Sequence, residues 1–143
     1  MTTKGAQRWN ECKFTRWFCR CIARCNGRTF AVVGSKMQEP GWPDRYVVHK
    51  RWHGWIEFKH GSNRLSEIQR AVCTDLDRCG VNVLIGRIRP NEFFDLCRVD
   101  GRTLIQQNIR PLIGDDQKAG LKFLEMLEKT TELLPSEHSP FCR

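Results

Sequence analysis

Two carboxylates and a lysine lie close together in the segment 41–59, GWPDRYVVHKRWHGWIEFK. Asp44 follows a proline, twelve residues separate it from Glu57, and Lys59 comes one residue after Glu57. Because successive side chains of a β-strand point to opposite faces, a strand over 54–59 places Glu57 and Lys59 on the same face. Hard divalent cations prefer carboxylate oxygens, and a lysine can stabilise charge that develops on a phosphate. The segment therefore predicts a site for metal-dependent phosphoryl chemistry.

The same residues also have a purely structural interpretation. Asp44 could stabilise a turn, and Glu57 with Lys59 could form an ion pair on a solvated face of a sheet. Such surface pairs are common and contribute little to stability. The choice between the two interpretations depends on what the rest of the chain places around these residues.

A helix is predicted over 10–25, because its apolar residues recur every three or four positions. Glu11 is the only acid in residues 1–30 and falls on the apolar side of this helix. An inward carboxylate is costly unless it is paired or binds a metal, although in the first helical turn it could instead complement the helix dipole. The opposite face of the helix is basic, and Arg28 follows shortly after the helix. We therefore predict contacts to nucleic acid through Lys13, Arg16, Arg20, Arg24 and Arg28.

The excess of positive charge is concentrated in the N-terminal segment. The chain has 143 residues and a net charge of +8, and residues 1–30 hold seven Lys or Arg against one acid. A localised basic surface favours a polyanionic partner, of which DNA is a common example. The alternative is a solvated helix face that only increases solubility.

The composition argues against a membrane protein and against a secreted one. No apolar run approaches the roughly 18 residues that a membrane span needs, and no signal peptide is recognisable. We therefore expect an intracellular, soluble protein. The eight cysteines are expected to be reduced and packed, since the cluster at 19, 21 and 25 lacks the spacing of a zinc site. A disulfide framework and a zinc-binding structural protein are the alternatives.

The remaining elements predict an α/β fold. Short strands are expected over 29–33, 45–49 and 54–59, and a helix over 65–79 leads into a strand over 81–87 that should pair parallel with 54–59. A hairpin over 93–99 and 103–109 and a helix over 114–134 follow. In helix 65–79 the expected buried stripe, with Gln69 and Cys73 beside it, consists of Leu65, Ile68, Val72 and Leu76.

The conjunction of these features resembles the PD-(D/E)XK nuclease superfamily, and within it the VRR-NUC family. The resemblance spans about residues 8–89 and depends on Gly41-x-Pro43-Asp44, Ile56-Glu57-Phe58-Lys59, Leu65-Ser66 with Gln69, Gly80-Val81-Asn82-Val83 and the early acid Glu11. It implies a restriction-endonuclease-like core, a mixed central sheet flanked by helices, followed by a C-terminal helix.

The resemblance also implies roles for individual residues. Asp44 and Glu57 would bind Mg²⁺ or Mn²⁺ with the backbone carbonyl of Phe58, and Glu11 would complete the metal site. Lys59 would orient the attacking water or stabilise the phosphate, and Gln69 would position Lys59 or the water. The implied activity is a structure-selective DNA endonuclease that acts as a homodimer on branched DNA such as four-way (Holliday) junctions. The implied setting is the cytoplasm of a bacterium or of a phage-infected cell.

Other functions remain compatible with the sequence. A flap or nicking nuclease fits the motif equally well, and a nucleic-acid-binding module without catalysis would use the same basic helix. The chain is expected to form one domain over 1–143, and residues 90–143, which match no motif, are expected to supply dimer contacts. Trp42, Trp52 and Trp55 near the site could stack on unpaired bases or could pack in the core or a dimer contact.

Overall fold

The computed structural model describes residues 8–32 and 40–133, in which two groups of three consecutive strands are separated by a helix and flanked by helices. The elements are α1 (Glu11–Arg24), β1 (Arg28–Ala31), β2 (Arg45–His49), β3 (Trp52–His60), α2 (Glu67–Arg78), β4 (Val83–Ile88), β5 (Phe93–Cys97), β6 (Thr103–Asn108), a 3-10 helix (Arg110–Leu112) and α3 (Asp116–Leu133).

The strands form one sheet in the order β1-β2-β3-β4-β5-β6. The pair β3 and β4 is parallel because α2 connects them, and the other neighbouring strands are antiparallel. The sheet is therefore mixed, is flanked by helices and is followed by a C-terminal helix. These features confirm the predicted fold class.

One face of the sheet is closed by α1 and α3, which also pack on each other. Helix α1 begins where predicted, since the Asn10 side chain caps it by accepting a hydrogen bond from the Lys13 N–H at 2.8 Å. Strand β3 sends Ile56 and Phe58 into this layer. The rings of Phe14, Phe18, Phe58, Phe94 and Phe123 meet there and form the centre of the core.

Helix α2 lies on the opposite face, against β4. Its N-terminus is fixed by a capping box in which the Ser66 hydroxyl accepts from the Gln69 N–H, at 3.1 Å, and the Gln69 side chain accepts from the Ser66 N–H, at 2.9 Å. Helix α2 thus begins at Glu67, two residues later than predicted.

The predicted buried stripe of this helix is wrong in part. Ile68 is 52% exposed, and the residue of α2 that is fully buried is Cys73. The helix is rotated so that Gln69 and Cys73, four residues apart, face the sheet. This rotation lets the Gln69 side chain form hydrogen bonds with Glu57 and Lys59 of β3.

The C-terminal part of the described chain completes the same sheet and core. Strands β5 and β6 extend the sheet beyond β4, and α3 contributes buried side chains, among them Phe123 and Leu127, to the cluster that contains Phe58. Strand β3 begins at Trp52, so the turn before it is shorter than predicted, and Trp52 is buried in the core. Val33 and Leu134, the predicted ends of β1 and α3, lie outside the described residues.

No helix within the described ranges combines the length and apolar character needed to cross a bilayer. The seven cysteines of these ranges are free thiols, and four of them are buried: Cys21, Cys25, Cys73 and Cys97. The eighth, Cys142, lies outside the described residues. Burial raises the pKa of Cys21 to about 12 and that of Cys73 to about 11.

Candidate active site

Strand β3 extends past the point where its neighbour β2 begins. Arg45, the first residue of β2, lies opposite Ile56, whereas β3 continues to His60 and remains paired with β4 on its other side. The edge of β3 after Ile56 therefore lacks a strand partner among the described residues. Asp44 occupies this edge, because its Oδ2 accepts a hydrogen bond from the Phe58 N–H at 2.8 Å.

The backbone carbonyl of Phe58 faces the same edge. The Trp55 N–H donates to the Asn82 carbonyl on the β4 side, and the backbone groups of successive residues in a strand point to opposite neighbours. The N–H and C=O of Phe58 therefore both point away from β4, toward Asp44. A predicted ligand oxygen and a predicted ligand carboxylate thus share one unpaired strand edge.

Glu57 is the most constrained carboxylate of the site. It is 1% exposed, its Oε2 accepts from Gln69 Nε2 at 3.0 Å, and the same oxygen lies 3.5 Å from Lys59 Nζ. Its other oxygen, Oε1, is buried and has no hydrogen-bond partner. Burial, followed by the nearby charge of Asp44, raises the pKa of Glu57 to about 7. An unpartnered carboxylate oxygen held in this way fits a bound cation.

Gln69 joins the two charged residues of β3. Its Oε1 accepts from Lys59 Nζ at 3.2 Å and from the Ser66 N–H at 2.9 Å, while its Nε2 donates to Glu57. A backbone N–H can only donate, so the amide oxygen of Gln69 must face Ser66 and Lys59 and its NH₂ must face Glu57. The capping box of α2 therefore sets the orientation of both site residues.

Glu11 approaches the site from the other layer of the fold. It is half-buried in the first turn of α1 and lines a cleft of about 370 Å³ with Asp44, Arg45, Thr15 and Arg16. Its charge contributes to the raised pKa of Glu57. The structure thus brings Glu11 near the two predicted ligands, and its place in the first turn also complements the helix dipole.

The donors that converge here suit a hard cation with water in its shell. Within residues 8–32 and 40–133, no three His, Cys, Asp or Glu side chains are placed to hold a metal ion by themselves. Mg²⁺ takes one or two carboxylates and keeps several waters. The Asp44 and Glu57 carboxylates, the Phe58 carbonyl and the orphaned Oε1 of Glu57 fit that requirement.

The predicted DNA-contacting residues are all exposed but do not form one set. Arg16 lines the cleft beside Glu11, and Lys13 with Arg20 lines a neighbouring cleft of about 350 Å³. Arg20 forms an ion pair with Asp116 at 2.8 Å, and that hydrogen bond lowers the pKa of Asp116. Arg24 is exposed near the end of α1, whereas Arg28 lies on β1 and belongs to the sheet.

Two residues of the site were not assigned from the sequence. Ser66 caps α2 and orients Gln69, and its signal was the Ser-x-x-Gln spacing of a capping box. Gly41 has φ +94°, and a Cβ there would come within 2.4 Å of Ile68 Cγ2 and 2.8 Å of its carbonyl oxygen. Only glycine lets the loop before Asp44 lie this close to α2. No local sequence pattern predicts the contact between Gly41 and Ile68.

No family model matches this sequence, and no curated protein matches it either. A search of solved structures found similarity to Hjc, a Holliday junction resolvase from the archaeon Archaeoglobus fulgidus. The identity is 17%, the similarity covers 71% of this chain and 92% of Hjc, and the TM-score is 0.49.

Proposed function

We propose that this chain is a Mg²⁺- or Mn²⁺-dependent DNA endonuclease of the PD-(D/E)XK superfamily, with the VRR-NUC family as the branch that its motifs resemble. The observation that carries the proposal is the buried, unpartnered oxygen of Glu57 beside Asp44. An ion pair that served only stability would satisfy both carboxylate oxygens.

Each residue has a role that follows from its placement. Asp44, Glu57 and the Phe58 carbonyl would hold the cation, with Glu11 at the margin of the site. A divalent cation in such a site polarises the phosphate and lowers the pKa of water. The Lys59 ammonium group, only 12% exposed at its side chain, is held beside Glu57 by Gln69. It would stabilise the negative charge that develops on the phosphate.

The proposed substrate is DNA, and branched DNA in particular. The net charge of +8 and the exposed Arg16 at the rim of the cleft support a polyanionic substrate. A homodimer would suit a four-way junction, since two symmetric cuts need two sites related by a two-fold axis. Residues 90–143 are proposed to supply dimer contacts, and the free thiols agree with a cytoplasmic setting.

A cleavage assay tests the proposal. Wild type is incubated with Mg²⁺ or Mn²⁺ and with labelled single strands, duplex, flaps and four-way junctions, beside Asp44→Ala, Lys59→Ala and the surface control Lys122→Ala. We expect cleavage by wild type and by the control. Loss of Lys59 should reduce the rate by about 100- to 1000-fold, the typical effect of removing one group that stabilises the transition state.

The outcomes separate the alternatives. Equal cleavage by all variants would show that the site is assigned to the wrong residues. DNA binding without cleavage under any metal would identify a binding module instead. Cleavage of flaps or nicked duplex but not of junctions would keep the nuclease and correct its substrate.

A further inference from the structure

The face of the sheet that carries Glu57 continues beyond the site as an aromatic surface. Residues directly opposite each other in antiparallel strands share a face, and the register places Phe30 opposite Tyr46 and Tyr46 opposite Trp55. Trp55 precedes Glu57 by two residues on β3, so both point the same way. The aromatic surface, as we name it, consists of Phe30, Tyr46, Trp55 and the neighbouring Trp42.

Among the described residues, no helix closes this part of the sheet as α1 and α3 close the opposite face. Helix α2 packs on β4, while α1 and α3 lie on the other side. Phe30 is 53% exposed and Val48, beside it on the same face, is 40% exposed. Large apolar side chains left open in a row beside a polar site indicate a binding surface.

Three of the four rings are held by contacts with their neighbours. The Tyr46 and Trp55 rings meet edge to face with centroids 5.0 Å apart, and the Trp42 ring lies 5.5 Å from that of Trp55. The Tyr46 hydroxyl forms a hydrogen bond of 2.8 Å with His53 Nδ1. A rigid aromatic platform of this kind suits the stacking of flat ligands.

Basic residues stand at both ends of the aromatic surface. Arg28 is exposed and lies opposite Val48, on the same face, and Lys59 lies past Glu57 at the other end. A single DNA strand offers phosphates to these charges and bases to the rings.

We propose that the aromatic surface binds unpaired bases of the DNA strand whose phosphate enters the candidate active site. This inference rests on the proposed function, and it defines the substrate class further as DNA with an unpaired segment next to the cut. Base stacking on aromatic side chains is tolerant of sequence, so no sequence preference is expected from this surface.

Binding in chelator tests the inference without cleavage. The affinities of a fluorescein-labelled oligo-dT strand, an abasic strand of the same length and a blunt duplex are measured by anisotropy. The proteins are wild type, Phe30→Ala, Tyr46→Leu and the control Leu121→Ala, which removes an exposed leucine (50%) from α3. We expect wild type and the control to prefer oligo-dT over the abasic strand. Each variant should lower oligo-dT affinity by about 5- to 100-fold and leave the abasic strand and the duplex unchanged.

The result separates this inference from the proposed function. Equal affinity of wild type for oligo-dT and the abasic strand, or oligo-dT affinity unchanged in both variants, would overturn the inference even if wild type cuts DNA. The expected binding pattern without any cleavage would support base binding by the aromatic surface and reject the nuclease. A dimer in wild type that dissociates in Phe30→Ala, measured by light scattering, would show a second copy on this face and overturn the inference.

Discussion

The same strands build both faces of the sheet, but one face is apolar and buried whereas the other is polar and partly exposed. The face under α1 and α3 is closed, and its residues Ile56 and Phe58 join a core of interlocked phenyl rings. The face under α2 is partly open and carries Glu57, Lys59 and the aromatic surface. Successive residues of β3 thus alternate between the core and the candidate site. The alternation of side chains along one strand separates the residues that stabilise the fold from the residues of the site.

The largest difference should appear when a phenyl ring is removed from each face. Phe18 is fully buried and its ring lies 4.7 Å from that of Phe123, whereas Phe30 is 53% exposed. Phe18→Ala should lower the free energy of unfolding by about 3–5 kcal/mol because it leaves a cavity. Phe30→Ala should change it by less than about 0.5 kcal/mol. Urea unfolding followed by tryptophan fluorescence measures both, and similar losses would contradict the division between the faces.

The ionisation of Glu57 on the open face should make the stability of the protein depend on pH. The folded state raises the pKa of Glu57 from 4.5 to about 7 through burial. Between these values the folded chain holds a proton that the unfolded chain releases. The contribution of Glu57 to the free energy of unfolding is therefore fully present below about pH 4.5, falls as pH rises toward about 7 and is lost above it. The metal-free protein should lose on the order of 3 kcal/mol of stability over that window.

The variant Glu57→Gln isolates this effect. It has no carboxylate to ionise, so its free energy of unfolding in chelator should change less between pH 5 and pH 8 than that of wild type. Glu125→Gln, on the exposed outer side of α3, serves as the matched control and should follow wild type. Parallel pH profiles for wild type and Glu57→Gln would show that folding does not raise the pKa of Glu57.

The sequence was informative where a pattern is local. Alternation along 54–59 predicted that Glu57 and Lys59 share a face, and the helix between two apolar strands predicted the parallel pair β3 and β4. It failed for α2, where apolar periodicity selected Ile68 as buried while Gln69 turned inward. Polar contacts between distant segments override periodicity, and no single window of sequence contains both partners.

The same limit explains the residues that only the structure revealed. The proline and aspartate before β2 were recognisable, but the contact of Gly41 with Ile68 joins residues 27 positions apart. The aromatic surface likewise depends on the register that brings Phe30 beside Tyr46. Charge clustering on α1 was visible in the sequence, yet the pairing of Arg20 with Asp116 was not.

A smaller effect is expected from the loop that delivers Asp44. Gly41→Ala places a Cβ at φ +94° against Ile68, whereas Gly101→Ala meets a similar φ of +96° with open space around it. Both variants should lose about 1 kcal/mol from backbone strain. Only Gly41→Ala should also reduce cleavage, because it displaces the loop from α2. Equal cleavage by the two variants would show that this contact does not position Asp44.

The smallest effect concerns the two helix caps, one on each side of the sheet. Ser66 caps α2 at 3.1 Å and Asn10 caps α1 at 2.8 Å, so Ser66→Ala and Asn10→Ala should each cost about 1 kcal/mol of stability. Ser66→Ala keeps the backbone N–H that holds the Gln69 oxygen. Its cleavage rate should therefore fall less than that of Gln69→Ala, in which Lys59 and Glu57 lose their shared partner. A rate for Ser66→Ala as low as that of Gln69→Ala would mean that the hydroxyl of the cap, rather than the amide of Gln69, maintains the site.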